Sequence, residues 1–418
     1  MISQRLRGRP LVSSTIALTC AVSLLGGTAH AASAAAAPPA AAAAATAGHP
    51  HHAGRGSVVS ATLVAQWDAD RVRAHLAQAH IEADQVRHGV RAHRIVYRTI
   101  DVTGRPTTAS QLVVVPTNGV RDLPVVSWLH GTTVFRGDVA SMNERSTDRA
   151  AAFLFAGAGH AVSAPDYLGL GEGPGFHPYG HPEGTVSAAV DALRATRSFV
   201  RRDGRDLERR VLISGFSQGG PATMMLGRAL HRGADRYFRP GALAPVGGPF
   251  DLSGFEAAAA DDRVVRSSLY LAYFATAWQR MYGLYGTPSE VFRAPYDTVV
   301  ETLFDGHHRS SEVAAALPAT SRELFTPEFL DRVRHPTGEL RRQLRALDTT
   351  CDWRPAVPVR IFHSPDDADV AFTNAGHCSG QLTANGVEHE VVEVAGDHNG
   401  SVRSALPQVV RAFDGAAP

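Results

Sequence analysis

A serine held between glycines, at the junction of a β-type run and an apolar helical run, constrains this chain more than any other feature. The segment is Gly215-Phe216-Ser217-Gln218-Gly219, preceded by the apolar, β-branched run ending at Ser214 and followed by a helical run from Pro221 to Leu230. A strand that turns at once into a helix needs a sharp bend. Gly215 and Gly219 lack the side chains that would hold strand and helix apart. Ser217 then stands at the tip of the turn with its hydroxyl above the sheet edge. The alternative is a glycine-rich β-to-α turn in which Ser217 only caps the helix.

At 418 residues, 44% hydrophobic and 19% charged, the chain has globular composition and enough length for one large domain with an insertion, or for two domains. Its formal net charge of +1 gives no field that would recruit nucleic acid. The sequence contains no lysine, so all 41 basic residues are arginine. Schiff-base and pyridoxal-phosphate enzymes, serine–lysine dyads and P-loop NTPases are excluded, because each needs a lysine.

The amino terminus carries Arg5, Arg7 and Arg9, an apolar run from Leu11 to Leu25 and then Ala29-His30-Ala31. This pattern predicts an export signal over residues 1–31. The apolar run is short for a membrane span, which takes about 20 residues. A lipoprotein site at Cys20 is disfavoured, because Cys20 lies inside the apolar run. Residues 32–57, rich in alanine and proline, form an expected leader that cannot bury a core. Export leaves Cys351 and Cys378 in an oxidising compartment, where pairing is the default. The mature protein is expected outside the cytoplasm, with no stable membrane span.

Beyond the leader, helical spacing at Val72, Leu76 and Ala79 predicts a helix over about 67–81. A hairpin follows, from Arg94–Val102 and Gln111–Val115 around Gly104, so the sheet is expected to begin near residue 90. Apolar strands then alternate with helical stretches. The strands are Pro124–Leu129, Ala161–Ala164, the run before Ser217, Ala242–Val246, Val357–Phe362 and Val391–Val394. Alternation of this kind predicts an α/β fold, a mostly parallel central sheet flanked by helices. Residues 247–349 break the pattern and read as an inserted helical cap, dividing the core into 58–246 and 350–418. The cap holds 13 of the chain's 30 aromatic residues. That is consistent with an apolar acyl or alkyl group on the substrate, or with helices that need their own core.

Ser217 needs a base, and the base needs a carboxylate to orient it, in the chain order serine, acid, histidine for this topology. His363-Ser-Pro-Asp-Asp367 follows one predicted strand, and Gly396-Asp-His398 follows the last. Asp367 is the expected acid, with Asp366 as the alternative, and His398 is the expected base. The oxyanion hole is expected from the backbone N–H groups of Gln218 and of Thr132, in the loop His130-Gly-Thr-Thr133. Tyr167, Thr133 and Phe216 are candidate substrate contacts. The glycines of Asp166-Tyr-Leu-Gly169-Leu-Gly171-Glu-Gly173-Pro-Gly175 lack dinucleotide-binding spacing and read as a rim loop. No metal-ligand spacing occurs, and no cofactor is expected.

Together, His130-Gly-Thr-Thr133, Ala164-Pro-Asp-Tyr-Leu-Gly-Leu-Gly171, Gly215-Phe-Ser-Gln-Gly219, His363-Ser-Pro-Asp-Asp367 and Gly396-Asp-His398 resemble the secretory lipase branch of the α/β-hydrolases. The resemblance spans roughly residues 90–410. It implies an exported lipase or carboxylesterase with a helical lid, acting on a small-molecule or lipid ester. A serine peptidase of the same fold is the rival reading and would need an acidic or arginine pocket; Glu172, Glu183 and Asp251 are candidates. A non-catalytic adhesion protein on the hydrolase fold is a third reading, although no triad member is missing.

Overall fold

The computed structural model describes residues 54–415. The expected signal segment, Cys20 and most of the leader lie outside the described residues. Nine strands form one sheet: β1 (Val58–Trp67), β2 (Val90–Ile100), β3 (Pro106–Pro116), β4 (Asp122–Leu129), β5 (Ala161–Pro165), β6 (Asp206–Phe216), β7 (Arg239–Val246), β8 (Arg360–His363) and β9 (Glu390–Glu393). Their spatial order is β1-β2-β3-β5-β4-β6-β7-β8-β9. The pairs from β5 through β9 are parallel, whereas β1, β2 and β3 enter antiparallel.

The predicted hairpin is present, with Ile100 opposite Pro106. The sheet nevertheless begins at Val58 and not near residue 90. Strand β1 was not foreseen because only its last few residues alternate in burial. Val59 and Leu63 are half exposed, so β1 rests on ladder hydrogen bonds to β2 more than on a buried face.

The two faces of the sheet are read off alternate residues of a strand, as the period of two requires. Val113 and Val115 of β3 join one buried cluster, and Leu112 and Val114 join the other. Helices α1 (Ala69–Gln78), α2 (Thr147–Ala158) and α13 (His398–Asp414) cover the second face. Helices α3 (Pro182–Val200) and α4 (Gly219–His231) cover the first. Local chemistry sets the helix ends. The Ser146 hydroxyl accepts from the Arg149 amide at the start of α2, and Gly159 ends that helix with φ +118°.

Between β7 and β8 lie α5 (Leu252–Ala260), α6 (Ser267–Tyr282), α7 (Val300–Leu303), α8 (Ser310–Ala316), α9 (Ser321–Leu324), α10 (Pro327–Arg334) and α11 (Gly338–Asp348). Their aromatic residues do not build a separate core. Phe255, Tyr270, Phe274, Trp278 and Phe329 share one buried cluster with Ile213 of β6 and Leu226 of α4. Helix α12 (Thr373–Ala384) completes the set. The expected cysteine pair is bonded: Cys351 and Cys378 have Cα atoms 5.3 Å apart and join the segment after α11 to α12. Among the described residues, no helix is long and apolar enough to cross a membrane.

Candidate active site

Ser217 occupies the turn between β6 and α4 with φ +54°, a left-handed conformation that a non-glycine residue adopts at an energetic cost. The surroundings hold it there. Its amide donates to the Val246 carbonyl at 2.9 Å, and its carbonyl accepts from the Gly220 amide at 2.8 Å. The flanking glycines do what the sequence predicts. A Cβ on Gly215 would meet the Leu129 carbonyl oxygen at 2.6 Å, and one on Gly219 would overlap that same carbonyl. β4, β6 and α4 can meet only through bare backbone.

Ser217, His398 and Asp367 come together at the carboxyl ends of β6, β9 and β8. The Ser217 Oγ lies 3.0 Å from His398 Nε2, and His398 Nδ1 lies 2.6 Å from Asp367 Oδ2. All three are buried. The other Asp367 oxygen, Oδ1, accepts from the amides of Asp369 at 3.0 Å and Val370 at 2.8 Å, which fixes the carboxylate plane. Asp366 is exposed and makes no contact of this kind, so the geometry selects Asp367. His398 is the first residue of α13, not a loop residue as its sequence context suggested. The Asp397 side chain caps the helix by accepting from the Gly400 amide at 2.7 Å. A capped helix start holds the imidazole more firmly than a loop would.

Phe216 packs its ring against His398, with centroids 4.6 Å apart, so it backs the imidazole. His363 lies beneath Asp367. Its Nε2–H donates to the Val370 carbonyl at 2.9 Å, and burial lowers its pKa below the ordinary value. His363 thereby serves the acid loop in its neutral form.

The loop His130–Thr133 abuts the Ser217 turn: a Cβ on Gly131 would lie 3.4 Å from the Ser217 Cβ. Among the described residues, the amides of Gln218 and Thr132 donate to no other protein group. The loop is braced from the insertion. Tyr273 of α6 donates its hydroxyl to the Thr133 carbonyl at 3.0 Å. Tyr273 stacks on Tyr179 at 4.4 Å, and the Tyr179 hydroxyl lies 2.9 Å from Thr132 Oγ1. A second tie joins Arg266, just before α6, to Asp369 at 2.8 Å beside the acid loop. The insertion therefore grips the loops on both sides of Ser217.

Tyr167 departs from its expected place on an open rim. It is buried, with φ +65°, its ring 4.3 Å from that of His130 and its hydroxyl 3.4 Å from the His130 carbonyl. It supports the loop from below. The glycine run after it folds tightly: a side chain on Gly169 would strike the Phe176 backbone.

Sequence reasoning missed three residues. His177 is buried; its Nδ1–H donates to the Leu168 carbonyl at 2.9 Å, and its Nε2 lies 3.2 Å from the Gln218 side-chain nitrogen. Burial pushes its pKa down to about 3, which leaves Nε2 free to accept from Gln218. Tyr179 and Glu256 line a narrow cavity with Gln218. No local motif marks any of the three, because their neighbours come from other parts of the chain. Of the acidic residues suggested by the peptidase reading, Glu172 pairs with Arg94 at 2.7 Å and Asp251 caps α5. A larger hollow of about 420 Å³, lined by Pro124, Arg210 and Gly241, lies at the amino ends of the strands, away from Ser217.

No protein-family profile and no curated protein matches the chain. Solved structures do. The rice cell wall degrading esterase LipA of Xanthomonas oryzae superposes with a TM-score of 0.76 at 26% identity, over 86% of this chain and 98% of that one. A Legionella pneumophila hydrolase structure matches with a TM-score of 0.77 at 24% identity, over 86% of this chain and 98% of that one. Candida antarctica lipase A gives 0.61 at 14% identity, over 87% of this chain and 83% of that one. The chain therefore has the α/β-hydrolase fold, and the solved structures it resembles include an esterase and a lipase.

Proposed function

We propose that this chain is a serine hydrolase of carboxylic esters, acting through an acyl-enzyme on Ser217. One observation carries the reading: His398 bridges Ser217 Oγ at 3.0 Å and Asp367 Oδ2 at 2.6 Å, through its two ring nitrogens. With Asp367 accepting from Nδ1–H, Nε2 is left as the acceptor that takes the Ser217 proton. Ser217 Oγ attacks the ester carbonyl, and the oxyanion rests on the amides of Gln218 and Thr132. The imidazolium returns its proton to the leaving alcohol, which departs and leaves the acyl group on Ser217. Water, deprotonated by His398, attacks the acyl carbonyl; the bond to Ser217 Oγ breaks, the imidazolium returns the proton to Oγ, and the carboxylic acid leaves. Phe216 and Thr133 act here by positioning the imidazole and the oxyanion loop.

The esterase and lipase neighbours support an ester as substrate. The insertion acts as a cap over the site, as its contacts to Thr133 and Asp369 suggest. Export is supported by the amino-terminal signal pattern and by the Cys351–Cys378 bridge, which suits an oxidising compartment. Ser217→Ala is expected to abolish both turnover of p-nitrophenyl butyrate and labelling by a fluorophosphonate. Near-native turnover by that variant would end the reading. Comparing a butyrate ester with the matched anilide separates esterase from peptidase.

A further inference from the structure

Helix α5 places Glu256 where an acidic side chain is costly. The residue is 1% exposed, its Oε2 has no hydrogen-bond partner, and no protein group bonds its other oxygen among the described residues. A buried polar group without a partner has lost its hydration with nothing in exchange, so its presence calls for an explanation. Glu256 lines a cavity of about 40 Å³ together with Gln218, whose backbone amide is the proposed oxyanion donor. The other walls include Met225, Phe274, Trp278 and Leu347. Gln218 Oε1 is likewise without a partner. The space exceeds what one water needs, about 10–15 Å³, and admits a small polar group with its attached carbon.

We propose that Glu256 determines specificity: its carboxyl hydrogen-bonds a hydroxyl carried by the part of the ester that enters this cavity. The inference rests on the ester-hydrolase reading. Burial raises the Glu256 pKa well above the ordinary carboxyl value, so the group meets substrate as a neutral acid. A neutral carboxylic acid offers one donor and an acceptor, which matches the donor and acceptor of an alcohol. With apolar walls around it, a plain alkyl chain leaves both functions unpaired. A hydroxylated chain pairs them, and such a site discriminates against the analogue that lacks the hydroxyl.

The test measures kcat/KM on two matched pairs, methyl 3-hydroxybutyrate against methyl butyrate and 2-hydroxyethyl butyrate against propyl butyrate. The pairs place the hydroxyl on the acyl and on the alcohol side. Native protein is expected to favour the hydroxylated member of one pair by at least about tenfold. Glu256→Leu should erase that preference while raising the melting temperature, and Glu256→Gln, which keeps a donor and an acceptor, should retain most of it. Turnover with the same preference in native and Leu variants would overturn this inference alone, as would a melting temperature that falls in the Leu variant. Should the Leu variant not fold, Glu256→Met, which also lacks both donor and acceptor, is read in its place: loss of the preference supports the proposal and its retention overturns it. A stronger preference for methyl 3-aminobutyrate would overturn the neutral hydrogen bond in favour of an ion pair. Native protein that turns over none of these esters refutes the ester-hydrolase reading, and this one with it.

Discussion

Replacing Asp367 with asparagine tests the orientation of the whole site, and the structure predicts the outcome from hydrogen-bond polarity. Asp367 Oδ1 accepts from two backbone amides, those of Asp369 and Val370, while Oδ2 accepts from His398 Nδ1. An asparagine at this position has one acceptor oxygen, and the two fixed amides claim it. Its NH₂ group must then point at His398. That amide donates to Nδ1, which forces the imidazole into the tautomer protonated on Nε2, where it faces Ser217 Oγ as a donor. The base is lost although no atom has moved. For a triad of this kind the penalty is about 10³–10⁴ in kcat, or about 4–5 kcal/mol of transition-state stabilisation. Asp367→Asn is therefore expected to lower kcat on p-nitrophenyl butyrate by that factor, with KM and melting temperature close to native. Asp366→Asn, at an exposed position, should stay within about twofold of native. An Asp367→Asn variant that retains a tenth or more of native kcat would refute the reasoning, as would an equal loss in Asp366→Asn.

Two further outcomes follow from buried groups. The folded chain holds His177 neutral, with a pKa of about 3, whereas the unfolded chain protonates it near 6.5. Its contribution to stability is thus complete above pH 6.5 and is lost as pH falls toward 3, at up to about 1.4 kcal/mol per pH unit. Melting temperature measured from pH 7 to pH 4 should fall less steeply in His177→Gln, and an unchanged slope would refute the assignment. Cys351 and Cys378 close a loop with a sequence separation of 27, so Cys351→Ala with Cys378→Ala should lower unfolding stability by about 3–4 kcal/mol. Urea denaturation checks this; reductant should reproduce most of the loss in native protein and none in the double variant.

The local features of the site were legible because the physics behind them is local. A serine on a sharp turn with glycines on both sides and strands of period two each announce themselves within ten residues. The chain order of Ser217, Asp367 and His398 was readable because strand–loop alternation limits where such groups can emerge, and the pairing of Cys351 with Cys378 because they are the two cysteines left after the expected export signal. Strand β1 was hidden because its side chains carry little burial signal. Its place comes from ladder bonds to a partner further along the chain.

Tertiary structure alone decided the rest. Asp366 and Asp367 are adjacent in sequence, and only the backbone amides and His398 around them tell the two apart. Tyr167 turned inward beneath His130, and His398 moved from a loop to a helix start. Glu256 came to face Gln218 from another layer of the fold. Ser217 and His398 stand 181 residues apart in sequence and 3.0 Å apart in space. Contacts of that separation depend on which strands are neighbours and how helices pack across them, and no short window of residues encodes either.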